Sequence, residues 1–441
     1  MPDVDLSHKK LPQLMLRLGL PAMVGLSLNA SHQIVDAAFV GQLGASPLAV
    51  LALMASLAGF AVAVGIGIGI GAASSVARAL GAGETERARK ISGLSFATAA
   101  ALATVLWAAL QLGMTPVLHL LSMPQETLPM ARAYYPIQTL TVAFGIIQIV
   151  CDFTAIGRGH ARMSMRTLAL CFGLNMVLDP LYIFGFGLGL DGAAWATITA
   201  QLVTLSVWAV WFHTPARRPS WGSVRLLAPV LRVGMPEAAS FAVTTFGLLA
   251  VLRLAAEHGG LESVAALGVA LRLILFVTLP LEGFAIGVQP ILSYAYGAGD
   301  GQRVARAQSL LLRFAPMICL MCAALLWIGA TPLASVMSDV PAVVVETATH
   351  LRWLALSIPA FAIRLIGQIS LQAAIRPRLA MLLGLAPMGW LLWPTLAFLL
   401  PTYGVSALPM AITLSAYLSA CVALVLLKIT SASPHPIGVS A

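Results

Sequence analysis

The chain has 441 residues, of which 59% are hydrophobic and only 9% are charged, and its mean hydropathy is +0.93. Soluble domains carry about 25% charged residues, so this composition excludes a soluble globular protein and predicts one that spans a membrane. The formal net charge of +9 does not indicate a nucleic-acid partner, because the basic residues lie in connectors between apolar runs.

Apolar runs of about 20 or more residues recur along the chain, each long enough for a helix to cross a hydrocarbon layer of about 30 Å. The sequence therefore predicts an all-α membrane protein with twelve transmembrane helices. In chain order the predicted spans cover residues 12–41, 48–76, 92–119, 130–156, 165–186, 190–213, 228–256, 263–292, 305–329, 343–372, 379–400 and 404–428.

The connectors between these spans alternate in charge. Every second connector, together with both ends of the chain, is basic; the residues are Lys9, Lys10, Arg87, Arg89, Lys90, Arg158, Arg162, Arg166, Arg217, Arg218, Arg225, Arg303, Arg306, Arg376, Arg378 and Lys428. Because cytoplasmic loops carry the excess of Lys and Arg, we expect a multi-pass protein of the plasma (inner) membrane with both termini in the cytoplasm.

An internal repeat divides the chain. Gly19-Leu20-Pro21 recurs as Gly234-Met235-Pro236, 215 residues later (234−19), and Gly81-Ala82-Gly83 recurs as Gly297-Ala298-Gly299, 216 residues later (297−81). Six spans in each half give the halves the same orientation, as in the parallel repeats of many transporters. We expect an N-terminal six-helix lobe (1–214), a cytoplasmic linker (215–227) and a C-terminal six-helix lobe (228–441).

Two carboxylates lie inside long apolar segments. Asp36 lies in LSLNASHQIVDAAFVG and Asp179 in LCFGLNMVLDPLYIFG. The repeat offset places Leu252 and Trp393 at the equivalent positions, so the acidic pair belongs to the N-terminal half alone. An ionisable group at membrane depth indicates a functional site, whereas the structural alternative is that each aspartate is hydrogen-bonded between helices.

Three polar residues are predicted to meet at one depth, with a fourth one helical turn away. The span boundaries place Asp36, Asp179 and Thr197 about 8, 9 and 10 Å from the outer ends of their helices, at 1.5 Å per residue. Asn175 is one helical turn from Asp179. Asp36, Asn175, Asp179 and Thr197 therefore form a candidate ion-coupling site whose oxygen atoms suit either Na⁺ or a proton shared between carboxylates.

Three further polar residues are candidates for a proton relay or for the polar lining of a cleft: His32, Asn29 and Asp152. His32 is one turn from Asp36, so its imidazole either exchanges protons with that carboxylate or bridges two helices. Asp152 either lines the cytoplasmic entrance or pairs with Arg158, and we expect the pairing.

Several segments resemble the multidrug and toxic compound extrusion (MATE) transporters. They are VDAAFVGQLG (35–44), GAG (81–83) with the basic cluster that follows it, and GRGH (157–160). NMVLDP (175–180) with GLDGAAWAT (189–197) is more specific and is similar to the DinF-like branch of that family. The resemblance covers nearly the whole chain.

The resemblance implies two six-helix lobes that form a V-shaped cleft, with proton or sodium coupling at the cluster of Asp36, Asn175, Asp179 and Thr197. It also links Pro21 to bending of the first helix; a proline there removes a backbone donor and favours a kink. The acidic C-lobe site of the NorM-like branch has no counterpart in this sequence, because Glu237 lies near the cytoplasmic end of its span.

We therefore expect a secondary antiporter, not an enzyme, that exports drugs or amphipathic small molecules in exchange for H⁺ or Na⁺. The expected partners are a small drug-like molecule and the lipid bilayer, without nucleic acid or a cofactor other than the coupling ion, and the expected state is a monomer. The alternative is a flippase for lipid-linked precursors or lipids, built on the same fold but independent of the aspartate pair.

Overall fold

The structure is a computed structural model that describes residues 6–7, 10–121, 125–215, 217–337 and 341–431. In these ranges the chain forms α-helices in the following order: α1 (Leu11–Gly41), α2 (Ala45–Gly81), α3 (Thr85–Leu112), α4 (Met114–Leu120), α5 (Leu128–Gly157), α6 (Ala161–Pro180), α7 (Gly189–His213), α8 (Leu227–Gly297), α9 (Gly301–Ile328), α10 (Ala330–Met337), α11 (Pro341–Ala373), α12 (Pro377–Gly384), α13 (Leu392–Tyr403) and α14 (Ala407–Ser431). Two residues of the predicted features lie outside the described residues: Lys9 of the basic N-terminal segment and Ala216 of the predicted linker.

The helices confirm the prediction of an all-α membrane protein. Eleven helical stretches within the described ranges are long and apolar enough to cross a membrane. The last of them, Pro377–Thr430, contains both the eleventh and the twelfth predicted spans, because the chain turns between them at Gly404, where φ is +55°.

The observed helices differ from the predicted spans in three places. The predicted connector between residues 256 and 263 is instead part of α8, which leaves the helical conformation only at Gly260 (φ 70°, ψ −163°). Glycine adopts this backbone region without steric penalty, so one residue suffices for the break. Short π-helical turns, Leu181–Gly185 and Ala386–Trp390, interrupt the predicted spans 165–186 and 379–400.

The two halves of the chain pack through α2 and α8 along a line of close backbone contacts. We call this line the inter-lobe seam; it consists of Gly67 and Gly71 of α2 with Val230 and Gly234 of α8. A Cβ atom at Gly71 would overlap the carbonyl oxygen of Val230, and one at Gly234 would overlap that of Gly67. The seam therefore brings two helix backbones into direct contact, an approach that glycine permits.

Polar contacts also join the halves at one end of the bundle. The Arg78 guanidinium of α2 donates to the backbone carbonyl of Ala373 and lies 5.5 Å from the centroid of the Tyr296 ring. The hydroxyls of Ser74 and Ser293 are 2.8 Å apart. Because the basic connectors after α2, α8 and α11 meet here, we call this the basic end of the bundle.

The seam gives a direct stability prediction. In Gly234→Ala the added methyl group meets the backbone of Gly67, so we expect a loss of about 1–3 kcal/mol of stability, as for other overpacked contacts. Thermal unfolding of the purified protein in detergent measures the effect.

Gly268→Ala is the matched control, because this glycine lies in the same helix and a Cβ there has nothing within 4 Å. We expect a neutral effect or a gain of up to about 1 kcal/mol, since alanine restricts the unfolded chain more than glycine does. Equal melting temperatures for the two variants would contradict the close contact of α2 with α8.

Candidate functional site

The predicted cluster of polar residues is built by α1, α6 and α7, which pack against one another in sequence: α6 contacts both α1 and α7. The Asn175 side chain of α6 donates from Nδ2 to Thr197 Oγ1 of α7, with a distance of 3.1 Å. Thr197 Oγ1 in turn donates to the carbonyl oxygen of Ala193, at 3.0 Å. The predicted depths concerned Asp36, Asp179 and Thr197; the direct hydrogen bond from Asn175 to Thr197 is a contact that the structure adds.

Asp179 is the most deeply buried member of the cluster. Its side chain is 0% exposed, and neither carboxylate oxygen has a hydrogen-bond partner among the described residues. The carboxylate of Asp36 lies within electrostatic range of Asp179, and the Asn175 side chain on α6 is close enough to interact with the Asp179 carboxylate, although the two do not meet the geometry of a hydrogen bond. Asp36 is half-buried, and its Oδ1 atom also has no partner in the described part of the chain.

Tyr134 of α5 belongs to the same cluster, although the sequence analysis did not identify it. The residue is 1% exposed and lies within electrostatic range of Asp36, Asp179 and Asp191. Its hydroxyl donates to Gln138 Oε1, one turn further along α5, at 2.9 Å. Tyr134 and Gln138 are four residues apart in an apolar span and therefore share one helix face. This pattern in the sequence indicates a polar face on α5 and could have identified Tyr134.

His32 and Asn29 lie on α1 with different neighbours. The His32 ring stacks on Phe172 of α6, with ring centroids 5.0 Å apart and an angle of 19° between the planes, and its Nδ1 atom is buried without a hydrogen-bond partner among the described side chains. This contact joins α1 to α6 next to the aspartate pair. Asn29 Oδ1 accepts from Gln33 Nε2 at 3.3 Å, on the same helix.

Asp152 does not pair with Arg158, and that prediction was wrong. Asp152 Oδ1 accepts from the Thr167 hydroxyl at 2.9 Å, whereas the Arg158 guanidinium donates to Ser92 Oγ of α3 at 3.0 Å. The two residues are six positions apart on α5, which places them about 120° apart around a helix of 3.6 residues per turn. They therefore face different neighbours.

Pro21 is buried within α1, which continues as a helix through it from Leu11 to Gly41. It is 15 residues before Asp36 (36−21), or about 22 Å along the helix axis. Close by, Gly283 and Gly287 of α8 pack against the backbone of α1 at Ala22 and Leu18. Pro21 therefore lies where α1 contacts the C-terminal half, far from the carboxylates.

The C-terminal half contains a buried polar network that the sequence analysis missed. Glu237 Oε2 of α8 accepts from Gln368 Nε2 and Gln372 Nε2 of α11, each at 2.6 Å. Arg364 donates to the carbonyl oxygen of the Gln368 side chain, and its guanidinium lies 5.0 Å from the centroid of the Phe361 ring. The amide of Gln368 thus bridges a guanidinium and a carboxylate, which compensates both charges inside the lobe.

Glu237 lies ten residues (237−227) after the start of α8 at Leu227, or about 15 Å along the helix. The predicted span begins at residue 228, so the position agrees with the sequence, and the structure adds the partners of this carboxylate on α11. The spacing of Arg364, Gln368 and Gln372, four residues apart on α11, was the signal for this network because such residues share a helix face.

The N-terminal cluster presents oxygen atoms that lack hydrogen donors. Both oxygens of Asp179, Oδ1 of Asp36 and Oδ1 of Asn175 have no partner among the described residues. Buried carboxylate and amide oxygens in this state fit a bound proton or a hard cation such as Na⁺. Among all the residues that the structure describes, no group of three or more His, Cys, Asp or Glu residues is placed to hold a metal ion. An Na⁺ site at the N-terminal cluster therefore depends on Asn175 and Thr197.

The matched family decides the class of the protein. The model of the MatE family matches residues 21–181 and 236–399, which together make up most of the chain. The chain belongs to the MatE family. These are transporters and not enzymes. The two matched stretches begin 215 residues apart (236−21), which agrees with the internal repeat.

Individual relatives are distant in sequence and close in fold. This chain is 26% identical to the multidrug export protein MepA of Staphylococcus aureus (strain MSSA476) over 296 residues. The match covers 65% of this chain and 65% of MepA. The probable multidrug resistance protein YpnP of Bacillus subtilis (strain 168) is 24% identical over 433 residues and 94% of each chain.

Among solved structures, the crystal structure of MATE in complex with MaL6 superposes with a TM-score of 0.93 at 21% identity, over 98% of this chain and 99% of that one. The similarity establishes the two-lobed fold of this MatE protein.

The C-terminal network gives a stability prediction. In Glu237→Ala the amides of Gln368 and Gln372 lose their acceptor and Arg364 loses its bridged counter-charge, so we expect a loss of about 2 kcal/mol or more. Thermal unfolding in detergent tests this, with Glu257→Ala as the control. Glu257 forms an exposed pair with Arg253 (2.9 Å) on the same helix, and such pairs contribute about 0–1 kcal/mol. An equal effect of the two variants would contradict the structural role of the network.

Proposed function

We propose that this MatE protein is a secondary antiporter that exports drug-like or amphipathic small molecules in exchange for H⁺ or Na⁺. The coupling site is the N-terminal cluster of Asp36, Asn175, Asp179 and Thr197, with Tyr134 beside it. The observation that carries the proposal is that Asp179 is 0% exposed while neither of its carboxylate oxygens has a hydrogen-bond partner among the described residues.

A buried, unpaired carboxylate has a high free energy. An unpaired carboxylate in an apolar interior costs several kcal/mol, and a second carboxylate in electrostatic range adds repulsion. Binding of a proton or of Na⁺ removes most of that penalty. The empty pair is therefore a high-energy state and the ion-loaded pair a low-energy state, which is what an ion-driven transporter needs in order to draw on a gradient.

Helix α1 supports a route from the ion to the rest of the protein. It carries Asp36, packs on α6 beside Asp179, and also packs on α8 of the other half, where Gly283 meets the backbone of Ala22. A change in how α1 packs at Asp36 therefore acts on the contact between the halves. Ligands shift such an equilibrium by their difference in affinity for the two states. In the proposed cycle, ion entry from outside favours outward release of cargo.

The relatives support the class of cargo. MepA is named as a multidrug export protein and YpnP as a probable multidrug resistance protein. The MepA match covers 65% of that protein's length, so drug export by the present chain is part of the proposal. Neither the aspartate pair nor the C-terminal network selects a particular drug.

The proposal includes the arrangement in the cell. The protein is a monomer of the DinF-like branch in the plasma (inner) membrane, with lobes at 1–214 and 228–441 and the linker 215–227 between them. Both termini and the basic end of the bundle face the cytoplasm, as expected for connectors rich in Lys and Arg. Pro21 is the point at which α1 bends during the cycle.

The aspartates give the first functional test. Asp179→Asn and Asp36→Asn each keep the shape of the side chain and remove its charge, so we expect ion-driven efflux from proteoliposomes to fall to background while the melting temperature is kept. Glu126→Gln, at an exposed residue of a connector, is the control and keeps wild-type efflux. Normal ion-driven efflux by Asp179→Asn would refute the coupling site.

Separately imposed gradients identify the ion. We expect an inward proton gradient alone, or an inward sodium gradient alone, to drive efflux from proteoliposomes in the wild type and to have no effect in Asp179→Asn. For sodium coupling, Thr197→Val must also raise the Na⁺ concentration needed for half-maximal transport, because it deletes a ligand oxygen. Efflux that is indifferent to both gradients would contradict antiport and favour a flippase.

A further inference from the structure

A groove on the surface of the C-terminal half lies near the basic end of the bundle, between α9 and α14. Both helices pack along α11, and the groove between them has a volume of about 560 Å³. It is lined by Ala305, Gln308, Ser309, Leu312, Arg313, Leu424, Leu427 and Lys428. Neither the ion-coupling cluster nor the polar network around Glu237 includes these residues.

Two cations from different helices converge on this groove. Arg313 of α9 and Lys428 of α14 are both exposed, and neither is in an ion pair among the described residues. The Arg313 guanidinium lies 5.8 Å from the centroid of the adjacent Phe314 ring, which carries no charge. Helices α9 and α14 contain no Asp or Glu of their own. Asp300, just before α9, accepts from the backbone N–H of Arg303 at 2.9 Å and caps that helix. The groove therefore carries two uncompensated positive charges.

The depth of Arg313 makes this charge unusual. It lies twelve residues (313−301) after the start of α9, or about 18 Å along the helix axis. A guanidinium at such a position extends its side chain toward the membrane surface and is stabilised by an anion there. Lys428 lies three residues before the end of α14 at Ser431 and lines the same groove. Its charge adds to that of Arg313, so the groove attracts an anion more strongly.

The remaining walls of the groove are apolar. Leu312, Leu424 and Leu427 line it alongside the two cations, while Gln308 and Ser309 supply polar atoms. A free phosphate ion would satisfy the charges and leave the leucines without a partner. A zwitterionic lipid would cover the leucines, but its own cationic group would offset the phosphate charge that it presents to Arg313 and Lys428. A single molecule with an anionic head and acyl chains satisfies both parts.

We propose that the groove between α9 and α14 binds one anionic phospholipid, with its phosphate between Arg313 and Lys428 and an acyl chain along Leu312 and Leu424. The bound lipid fills the gap over α11 and stabilises the C-terminal half. This site is independent of the proposed transport function, because it shares no residue with the cluster around Asp179.

The test measures phosphatidylglycerol binding to the full-length purified protein in detergent, by native mass spectrometry and by the rise in melting temperature on lipid titration. The double variant Arg313→Gln with Lys428→Gln removes both charges. Because each such cation contributes about fivefold to affinity for anionic lipid, we expect binding to weaken about thirtyfold. Phosphatidylcholine and inorganic phosphate at the same concentrations are expected to leave the melting temperature of the wild type unchanged.

Two controls separate the site from general surface charge. Arg162→Gln with Arg225→Gln removes two exposed cations elsewhere and is expected to bind phosphatidylglycerol as the wild type does. Exchange of the two cations, Arg313→Lys with Lys428→Arg, keeps both charges and is expected to retain binding, which shows that the site tolerates substitution. The proposal is overturned if the Gln double variant binds like the wild type, if phosphatidylcholine binds equally well, or if inorganic phosphate displaces the lipid.

Discussion

A carboxyl group in the apolar interior of a helix bundle must be neutralised or hydrogen-bonded, because the solvation that water would supply is lost there. Asp179 is 0% exposed, its carboxylate oxygens form no hydrogen bond of normal geometry, and it has no ion pair in the described part of the chain, where the Asn175 amide is its polar neighbour. Asp36 in electrostatic range raises the penalty further. The proposed ion coupling depends on the uncompensated charge of the Asp179 carboxylate. The fold holds this carboxylate in place because α6 packs against both α1 and α7.

The two halves treat buried charge in opposite ways. In the C-terminal half, Gln368 links the Arg364 guanidinium to the Glu237 carboxylate, and Gln372 donates to the same carboxylate. These hydrogen bonds link α8 to α11, and the Glu282 carboxylate lies within electrostatic range of both Glu237 and Arg364. Among the described residues the N-terminal cluster has no ion pair with a cation, and in the proposed mechanism its carboxylates take up the coupling ion instead.

Much of the fold and part of the site could be predicted from the sequence. Apolar run lengths gave the spans, and their depths placed Asp36, Asp179 and Thr197 near one level, where the structure adds the hydrogen bond from Asn175 to Thr197. The same reasoning failed where it needed helix rotation or contacts between helices: Asp152 faces Thr167 instead of Arg158, and the partners of Glu237 on α11 were not predicted. Tyr134 was missed because depth alone does not show which helix lies beside the aspartates. Those features depend on tertiary packing, which periodicity does not encode.

The central claim is that the aspartate pair gives up its ion when cargo binds. Release of H⁺ or Na⁺ on addition of a transported drug to the purified protein in weakly buffered detergent measures this directly, with a pH indicator and a sodium electrode read in parallel. The account predicts release from the wild type and none from Asp179→Asn, with drug binding retained in both. Equal ion release from the wild type and the variant would contradict it.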